Sequence, residues 1–272
     1  MTGATGFVGR HVLRALQTRE HRLRLVARPG TVPGGEWTKD VEVVTTDDLF
    51  AESMHWWCDT LRGVDAVLHM AWYTEPGLYL QSPRNLDCLA GTLAMAKACT
   101  QAGVGRFVGL GTCFEYDSRP GHLSIDTPLQ PESPYAAAKA AAYLALREHF
   151  RVAGIAFAWL RLFYLFGEGE DPRRLVPYVR KQLALGNPVE LTSGKQVRDY
   201  MDVRDAAADI VEQFLGEKQG AVNICSGQGA TVRQLVERIA DEYGRRDLLK
   251  FGARADNFTD PPVVVGIKDR AS

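Results

Sequence analysis

The feature that most constrains the fold of this sequence is a glycine-rich stretch near its start, TGATGFVG at residues 2–9. Its glycines, Gly3, Gly6 and Gly9, follow the spacing G-x-x-G-x-x-G and open an apolar run with helical spacing. Such a turn lets backbone N–H groups approach a pyrophosphate closely, and the positive end of the helix favours the anion. Glycines also mark ordinary turns, so the rest of the chain must decide between the two interpretations.

Short β-rich runs alternate with helical patterns in the first half of the chain, which predicts right-handed β-α-β units and a parallel sheet. Only Met1 and Thr2 precede the glycine turn, so we expect the numbering to begin inside the first strand, with a few upstream residues absent. The later strands are predicted at 22–27, 41–45, 66–71, 107–111 and 156–162, and helices at 92–102, 135–153, 204–215 and 231–243. Beyond Gly167 the pattern is interrupted by Pro and Gly, and residues 251–272 look irregular.

The predicted fold class is α/β: a Rossmann-type doubly wound parallel sheet with a smaller, discontinuous C-terminal substrate lobe. Residues 1–165 form the predicted dinucleotide-binding domain, with a later return segment near 200–228. Residues 166–272 form mainly the substrate-binding lobe. We expect this lobe to close over the carboxyl edge of the sheet, where open α/β sheets bind ligands.

Composition argues against several classes of function. A formal net charge of −1 does not suit a broad nucleic-acid surface, which needs clustered excess Lys and Arg. No apolar run reaches the ~18 residues of a membrane span and no signal peptide is visible, so we expect a cytoplasmic protein with no membrane partner. The five cysteines include no C-x-x-C pair, which favours reduced thiols over disulfides or a metal site.

A tyrosine and a lysine lie one helical turn apart, at Tyr135 and Lys139, so their side chains share one helix face. The reference pKa of a phenol is about 10, and a nearby ammonium favours the phenolate and lowers that pKa toward the working range. Thr112 ends a predicted strand upstream, where its hydroxyl can hydrogen-bond a substrate oxygen beside Tyr135. On an Ala-rich helix a solvated pair is the plain alternative, but combined with the glycine turn, Thr112 and Pro134 the pair predicts a catalytic site.

With these motifs in place, the chain resembles the extended short-chain dehydrogenases/reductases, specifically their nucleotide-sugar epimerase/dehydratase/reductase branch. The resemblance runs from Thr2 to about Gly229. The matching segments are TGATGFVG at 2–9, VLHMA at 67–71, SPYAAAK at 133–139, LRLFYLFG at 160–167, RDYMDV at 198–203 and NICSG at 223–227. Six motifs in one order are far more specific than any one of them.

The resemblance implies catalytic roles for three residues. Tyr135 exchanges a proton with a sugar hydroxyl or carbonyl, Thr112 polarises the carbonyl, and Lys139 binds the nicotinamide ribose and lowers the pKa of Tyr135. Arg198 falls where the family places an arginine on the substrate diphosphate, a task that suits a bidentate guanidinium. An ion pair of Arg198 with Asp199 or Asp202 is the alternative.

The remaining predicted contacts divide between cofactor and substrate. Asp48-Leu49 matches the family's adenine-contacting step, although Asp48 is also placed to cap the next helix. The predicted cofactor-binding residues are Gly3, Thr5, Gly6, Phe7, Val8, Gly9, Arg28, Asp48, Leu49, Ala71 and Lys139. The predicted substrate-binding residues are Trp72, Tyr73, Glu115, Tyr164 and Arg198. Three other conspicuous residues are interpreted as core: Trp56, Trp57 and His69.

The end of the strand at 22–27 bears on the choice of cofactor. NAD-binding proteins place an Asp or Glu there to accept hydrogen bonds from the ribose. This chain has Arg28 instead, a cation poised for a 2′-phosphate, which predicts NADP. NAD is the alternative, with Arg28 as a solvated loop residue.

Departures from the family pattern narrow the chemistry. The 4,6-dehydratases carry Asp-Glu directly after the strand-end Thr, and here Cys113 and Phe114 stand in those positions, which argues against dehydration. Cys88 and Tyr164 replace two family asparagines, the second of which normally touches the substrate. The sugar or phosphate contacts must therefore differ from those of the commonest epimerases.

The predicted function is an NAD(P)-dependent oxidoreductase acting on a nucleotide-diphosphate sugar, with reduction of a 4-keto-6-deoxy sugar as the favoured reaction. An NAD-dependent 4-epimerase is the close alternative, and a non-catalytic NADP-binding regulator is the alternative from another class. By analogy with the family we also expect a homodimer formed through the helices at about 93–102 and 136–150, whose Ala-rich faces permit close packing.

Overall fold

The structure is a computed structural model that describes residues 1–31, 41–257 and 260–268. Its helices are α1 (Phe7–Gln17), α2 (Met54–Thr60), α3 (Arg84–Ala102), α4 (Pro134–Ala153), α5 (Leu175–Leu185), α6 (Val203–Leu215) and α7 (Val232–Glu242). Its strands are β1 (Leu23–Ala27), β2 (Val41–Thr45), β3 (Ala66–His69), β4 (Arg106–Thr112), β5 (His122–Leu123), β6 (Ala156–Leu162), β7 (Tyr164–Phe166), β8 (Val189–Leu191), β9 (Val197–Asp202), β10 (Gly220–Ile224), β11 (Gly229–Thr231), β12 (Leu249–Phe251) and β13 (Val263–Gly266).

A parallel sheet forms the centre of the fold, built from the pair β2-β1 and the four strands β3-β4-β6-β10, which Thr2 joins. Thr2 lies between β1 and β3 and forms parallel bridges to Val26 and His69, so the glycine turn leaves from the middle of the sheet. The predicted α/β architecture with a parallel sheet is confirmed. The edge strand β10 comes late in the chain, after β9 and α6, and therefore brings a C-terminal segment back to the sheet.

The two faces of this sheet are covered by different helices because its strands alternate their side chains. Val67 and Phe107 lie in a buried cluster with residues of α2, α3 and α4. Their neighbours Leu68 and Val108 lie in a second cluster with residues of α1 and α6. The sheet is thus buried on both sides, which is the doubly wound arrangement.

A smaller lobe grows from the carboxyl edge of the central sheet. There β7 follows β6 directly and pairs with β9, which also pairs with β11 and β13, and β13 in turn pairs with β5. A third pairing, β8 with β12, packs with α5 and α7 around buried Val179, Leu183 and Val236. Asn223 of β10 connects sheet and lobe, because its side-chain amide donates to the carbonyls of Leu123 and Ile267 at 2.9 and 3.1 Å.

Several elements differ from the sequence-based prediction, which includes neither α2 nor the short strands of the lobe. The helix predicted at 92–102 begins eight residues earlier, at Arg84. Helix α5 was not predicted, because Pro177 interrupts its pattern, yet proline is tolerated in a first turn. Residues 251–272 were predicted to be irregular, yet they contain β13, which follows two prolines; residues 258–259 and 269–272 lie outside the described residues. The carbonyl of Pro262 accepts a hydrogen bond from Val197 N, so proline at this strand start costs no pairing.

We expect Gly9→Ala to destabilise the fold, because a Cβ at Gly9 would overlap the carbonyl oxygen of Gly3. Overpacking of this kind costs about 1–3 kcal/mol, to be measured as a fall in the free energy of unfolding in urea. Gly105→Ala is the matched control, since its Cβ would lie 3.6 Å from Asp65 O, an ordinary contact. Equal stabilities of the two variants would contradict the close packing of α1 on the turn.

Candidate active site

The glycine turn depends on residues without a Cβ atom at its tightest positions. Gly3 has φ of 73°, and a Cβ there would lie 2.7 Å from Ala71 N. Gly6 is the N-cap of α1 and supplies no side-chain cap, so the first-turn N–H groups of Phe7 and Val8 are open to an anion. The turn therefore fits the pyrophosphate of a dinucleotide.

The predicted catalytic residues come together at the carboxyl end of β4. Tyr135 and Lys139 lie in the first turns of α4, which Ser133 caps by accepting a hydrogen bond from Ala136 N at 3.2 Å. Both side chains are buried, and the side chain of Thr112 lies near enough to the Tyr135 hydroxyl to lower the pKa of the phenol. The Thr112 hydroxyl accepts from Phe114 N at 3.3 Å, which leaves its own proton free to be donated.

Burial controls the ionisation of Tyr135. It raises the pKa of the phenol above its ordinary value, and the neighbouring side chain of Thr112 lowers it by less. Desolvation is the largest cause of this shift and Lys139 is not among the main ones, so the lowering by Lys139 that the sequence suggests stays a prediction. At neutral pH Tyr135 therefore carries its proton.

Lys139 is a buried amine held by two different contacts. Its Nζ donates to Leu110 O at 2.6 Å and lies 3.9 Å from the ring centroid of Trp72. Burial lowers the pKa of Lys139 to about 7, and the charge of Glu115 offsets part of that effect. Near neutral pH the group is therefore poised between ammonium and amine.

Glu115 lies beneath these residues and does not reach the surface of the site. It is fully buried; its carboxylate pairs with Arg161 at 2.7 Å and accepts from Trp159 Nε1 at 3.0 Å. It also accepts from the backbone N–H of Thr112 at 2.9 Å. The prediction that Glu115 contacts the sugar is contradicted, because these partners occupy its carboxylate and fix the backbone of Thr112.

His69 is a core residue, as its apolar strand predicted. Its ring nitrogens contact the hydroxyls of Thr2 at 2.8 Å and Thr92 at 3.0 Å, whereas a backbone partner was expected. Burial lowers the pKa of His69 to about 3, so the ring is neutral at physiological pH. Trp57 is likewise buried in the core.

Arg198 is buried in β9 beside Tyr164, with its guanidinium 5.4 Å from the phenol ring. Neither alternative partner is paired with it. Asp199 accepts hydrogen bonds from the N–H groups of Ser226, Gly227 and Gly266, and Asp202 pairs with Arg204 at 2.8 Å. Within the described residues, Arg198 forms an ion pair with Asp260 at 4.0 Å.

The residues predicted to bind the adenosine end of the cofactor lie along the carboxyl ends of β1 and β2. Arg28 follows β1 and is exposed. Asp48 pairs with Arg84 at 2.8 Å and accepts from Phe50 N, and the cap of α2 is Ser53, so Asp48 does not cap that helix. Leu49 packs against the core. Nearer the glycine turn, Ala71 N donates a hydrogen bond to Thr2 Oγ1 at 3.2 Å. Thr5 and Val8 lie in the turn itself.

The loop after β3 contributes more than its predicted residues. Trp72 contacts Lys139, whereas Tyr73 lies against the guanidinium of Arg84 at 5.4 Å. Tyr79, which the sequence analysis missed, packs edge-on against Tyr135 with ring centroids 4.9 Å apart. The only sequence signal for Tyr79 is its place after a strand at the carboxyl edge of the sheet.

A second loop, residues 167–174, reaches across to the loop after β3. Arg173 pairs with Glu75 at 2.8 Å, and the guanidinium of Arg174 lies 5.5 Å from the ring of Tyr79. Within the described ranges no cluster of three or more His, Cys, Asp or Glu side chains could hold a metal ion. No helix in those ranges is long and apolar enough to span a membrane.

Comparison with known proteins identifies the family. Residues 1–225 match the family described as the NAD dependent epimerase/dehydratase family. The dTDP-6-deoxy-L-talose 4-dehydrogenase (NAD(+)) of Aggregatibacter actinomycetemcomitans is 24% identical over 270 residues, which cover 98% of this chain and 98% of that protein. The UDP-glucose 4-epimerase of Azospirillum brasilense is 27% identical over 300 residues, which cover 99% of this chain and 84% of that protein.

A solved structure confirms the fold. The UDP-N-acetylglucosamine 4-epimerase from Methanobrevibacter ruminantium M1, in complex with UDP-N-acetylmuramic acid, superposes with a TM-score of 0.86 at 22% identity. The superposition covers 98% of this chain and 88% of that chain. The Rossmann-type sheet and the lobe at its carboxyl edge are thus shared with this enzyme.

We expect Lys139→Met to stabilise the fold at pH 6, because the variant no longer buries an ammonium. The folded pKa, about 7, lies below the ordinary value of 10.5, so the unfolded chain binds more protons between these pH values and wild-type stability rises with pH there. The advantage of the variant, on the order of 3 kcal/mol at pH 6, should shrink toward pH 9. Urea unfolding at both pH values measures it.

Lys97→Met is the matched control, because Lys97 is an exposed lysine of α3. Its substitution should change the free energy of unfolding by less than about 0.5 kcal/mol at either pH. A Lys139→Met variant that is no more stable than wild type at pH 6 would contradict the burial cost.

Proposed function

The chain belongs to the NAD-dependent epimerase/dehydratase family, and from this premise we propose that it reduces the keto group of a nucleotide-diphosphate-linked 4-keto-6-deoxy sugar. The observation that carries the proposal is the buried phenol of Tyr135, which burial keeps protonated and whose pKa the neighbouring Thr112 side chain lowers in part. Reduction of a ketone requires a proton donor at the oxygen, and a phenol that keeps its proton until the reaction begins supplies one.

The residues divide the work of this reaction. The bound nicotinamide supplies the hydride for the keto carbon. Tyr135 gives its proton to the keto oxygen, and Thr112 donates a hydrogen bond to the same atom, which stabilises the charge that develops there. Lys139 as an ammonium holds the ribose and stabilises the phenolate that Tyr135 becomes.

The side chains after Thr112 support reduction over dehydration. Burial raises the pKa of Cys113 to about 12, so it stays a neutral thiol, and Phe114 packs edge-on against Tyr164 at 6.0 Å. Neither can act as the acid or base that loss of water needs. An apolar wall of this kind suits a sugar with a methyl group in place of a hydroxymethyl.

One relative supports the choice of sugar, and the arginines Arg198 and Arg28 support the choice of diphosphate site and cofactor. The Aggregatibacter protein is named for a 6-deoxy sugar oxidised at its C4 position, the reverse of this reduction. We propose Arg198 for the substrate diphosphate, with Tyr164 beside it, because its guanidinium lies in the lobe and its ion pair in the described chain is a long one, 4.0 Å to Asp260. Arg28 supports NADP as the cofactor, although the name of that relative specifies NAD.

A 4-epimerase is the second candidate function. The match to the Azospirillum UDP-glucose 4-epimerase favours it, and the same three residues can remove and return a proton at a sugar oxygen. The two reactions differ in their net consumption of cofactor, because a reductase consumes one NADPH per sugar and an epimerase consumes none.

We propose a homodimer formed through α3 and α4. These helices pack side by side, and each leaves apolar residues exposed on its outer face, Leu86 on α3 and Leu144 on α4. Alanines between them permit a close approach of two such helix pairs, and sedimentation velocity measures the resulting mass.

We expect wild-type protein to oxidise NADPH stoichiometrically with a 4-keto-6-deoxy nucleotide sugar, followed at 340 nm, and Tyr135→Phe to lower kcat by about 10²–10⁴. Binding of NADPH should change little, since the phenol proton acts in the chemical step. Tyr243→Phe, at the exposed end of α7, is the control and should keep full activity. Sugar interconversion without net NADPH consumption would identify the epimerase instead.

We expect Arg28→Glu to lower the ratio of kcat/KM for NADPH to that for NADH by about 100-fold, because it removes a charge-assisted hydrogen bond and places a carboxylate against the 2′-phosphate. Arg22→Glu, an exposed arginine just before β1, is the control and should leave the ratio unchanged. A wild-type preference for NADH would overturn the assignment of NADP.

A further inference from the structure

The indole of Trp72 covers the amine of the proposed catalytic lysine. Lys139 Nζ lies 3.9 Å from the ring centroid, within the range of a cation–π contact, and the lysine is buried. The second indole nearby, that of Trp159, is more distant at 5.7 Å. Trp72 thus provides the main aromatic face toward this amine.

The Trp72 indole is anchored by a buried asparagine. Asn85 is fully buried, and its Oδ1 accepts a hydrogen bond from the indole Nε1 at 2.9 Å. Its Nδ2 donates to the carbonyls of Tyr79 and Ser82 at 2.7 and 2.9 Å. Because Asn85 uses both ends of its amide, it holds the indole and the loop after β3 in one arrangement.

We propose that Trp72 is a positioning residue for Lys139, whose indole face holds the ammonium against Leu110 O and keeps it charged for the cofactor ribose. Of the three N–H donors of Nζ, one meets Leu110 O and one the ring face, which leaves one for a ribose hydroxyl. This role replaces the contact with the sugar that the sequence suggested for Trp72. It rests on the proposed function, in which Lys139 binds that ribose.

The groups that face Lys139 permit its titration to be followed. They come from four elements: Glu115 in the turn after β4, Cys88 in α3, His69 in β3 and Tyr135 in its own helix. Burial holds the pKa of His69 at about 3 and raises the pKa of both Cys88 and Tyr135. Glu115 is paired with Arg161. Among His69, Cys88, Tyr135 and Lys139, the pKa of Lys139, at about 7, is the one near neutrality. The experiment therefore covers roughly 1.5 pH units on either side of it.

The test is the dissociation constant of NADPH as a function of pH, measured by the change in its fluorescence on binding. For wild type, binding should weaken as pH rises through about 7, since the amine loses its charge. Trp72→Leu keeps the apolar cover and removes the aromatic face, so the charged form loses stabilisation. Its midpoint should fall by about one pH unit, the size of a desolvated cation–π contact.

Two further variants isolate the aromatic face. Trp72→Phe keeps a ring over the amine but loses the hydrogen bond to Asn85, and its midpoint should stay within about 0.3 units of wild type, since Phe still offers a π face. Trp56→Leu, a tryptophan of α2 that contacts Trp57, should not move the midpoint. An unmoved midpoint in Trp72→Leu, or an equal shift in Trp72→Phe, overturns the proposal.

A measurement on wild type decides the case if Trp72→Leu does not fold or if NADPH does not bind. At 3.9 Å from the indole the Lys139 side chain must carry an upfield ring-current shift of its ε-methylene protons, assigned by their loss in Lys139→Arg. An ordinary lysine shift overturns the proposal. Failure of wild type to bind NADPH counts against the proposed function, whereas normal binding with an unmoved midpoint counts only against the role of Trp72.

Discussion

Desolvation of charge at the carboxyl edge of the sheet is the constraint on which the rest of this site depends. Lys139, Glu115 and Arg161 are all buried, and such groups persist in a protein only when donors, acceptors or opposite charges surround them. Strand β4 makes the space for them. A Cβ on Gly111 would lie 2.5 Å from Glu115 Oε1, and one on Gly109 would overlap the ring of Trp159. The glycines of this strand therefore leave room for a buried charge beneath Thr112.

The same constraint sets the protonation states that the chemistry uses. Burial alone raises the pKa of the phenol and lowers that of the amine, so both groups tend toward their neutral forms. Glu115 and the aromatic face of Trp72 act in the opposite sense on Lys139, and Thr112 does so on Tyr135. Burial in the site thus costs stability, while neighbouring contacts favour the charged forms of the same groups. Functional sites often trade stability for activity in this way.

Local patterns predicted the fold well, because the glycine turn, the β-α alternation and the strand at 156–162 each depend on neighbours in sequence. Predictions from local patterns failed where contacts between residues distant in sequence determine the structure. Strand β13 forms because Val263 and Val265 pair with Val197 and His122, which lie far away in the chain. The two prolines that precede it predict a break when only neighbouring residues are considered. The proximity of Tyr135 and Lys139 was predicted for the same local reason, since the two residues lie one helix turn apart. Glu115 was assigned to the sugar because its partner Arg161 lies 46 residues away.

The position of β10 at the edge of the central sheet has a consequence for synthesis on the ribosome. Strand β6 ends at Leu162, yet its outer neighbour spans Gly220–Ile224, so the backbone edge of β6 remains open while the intervening lobe is made. An unpaired strand edge is a template for pairing with another chain. Parallel pairing over such a distance also forms slowly. The nascent protein therefore passes through a stage in which self-association competes with maturation, and a fragment ending between these strands would keep that exposed edge permanently.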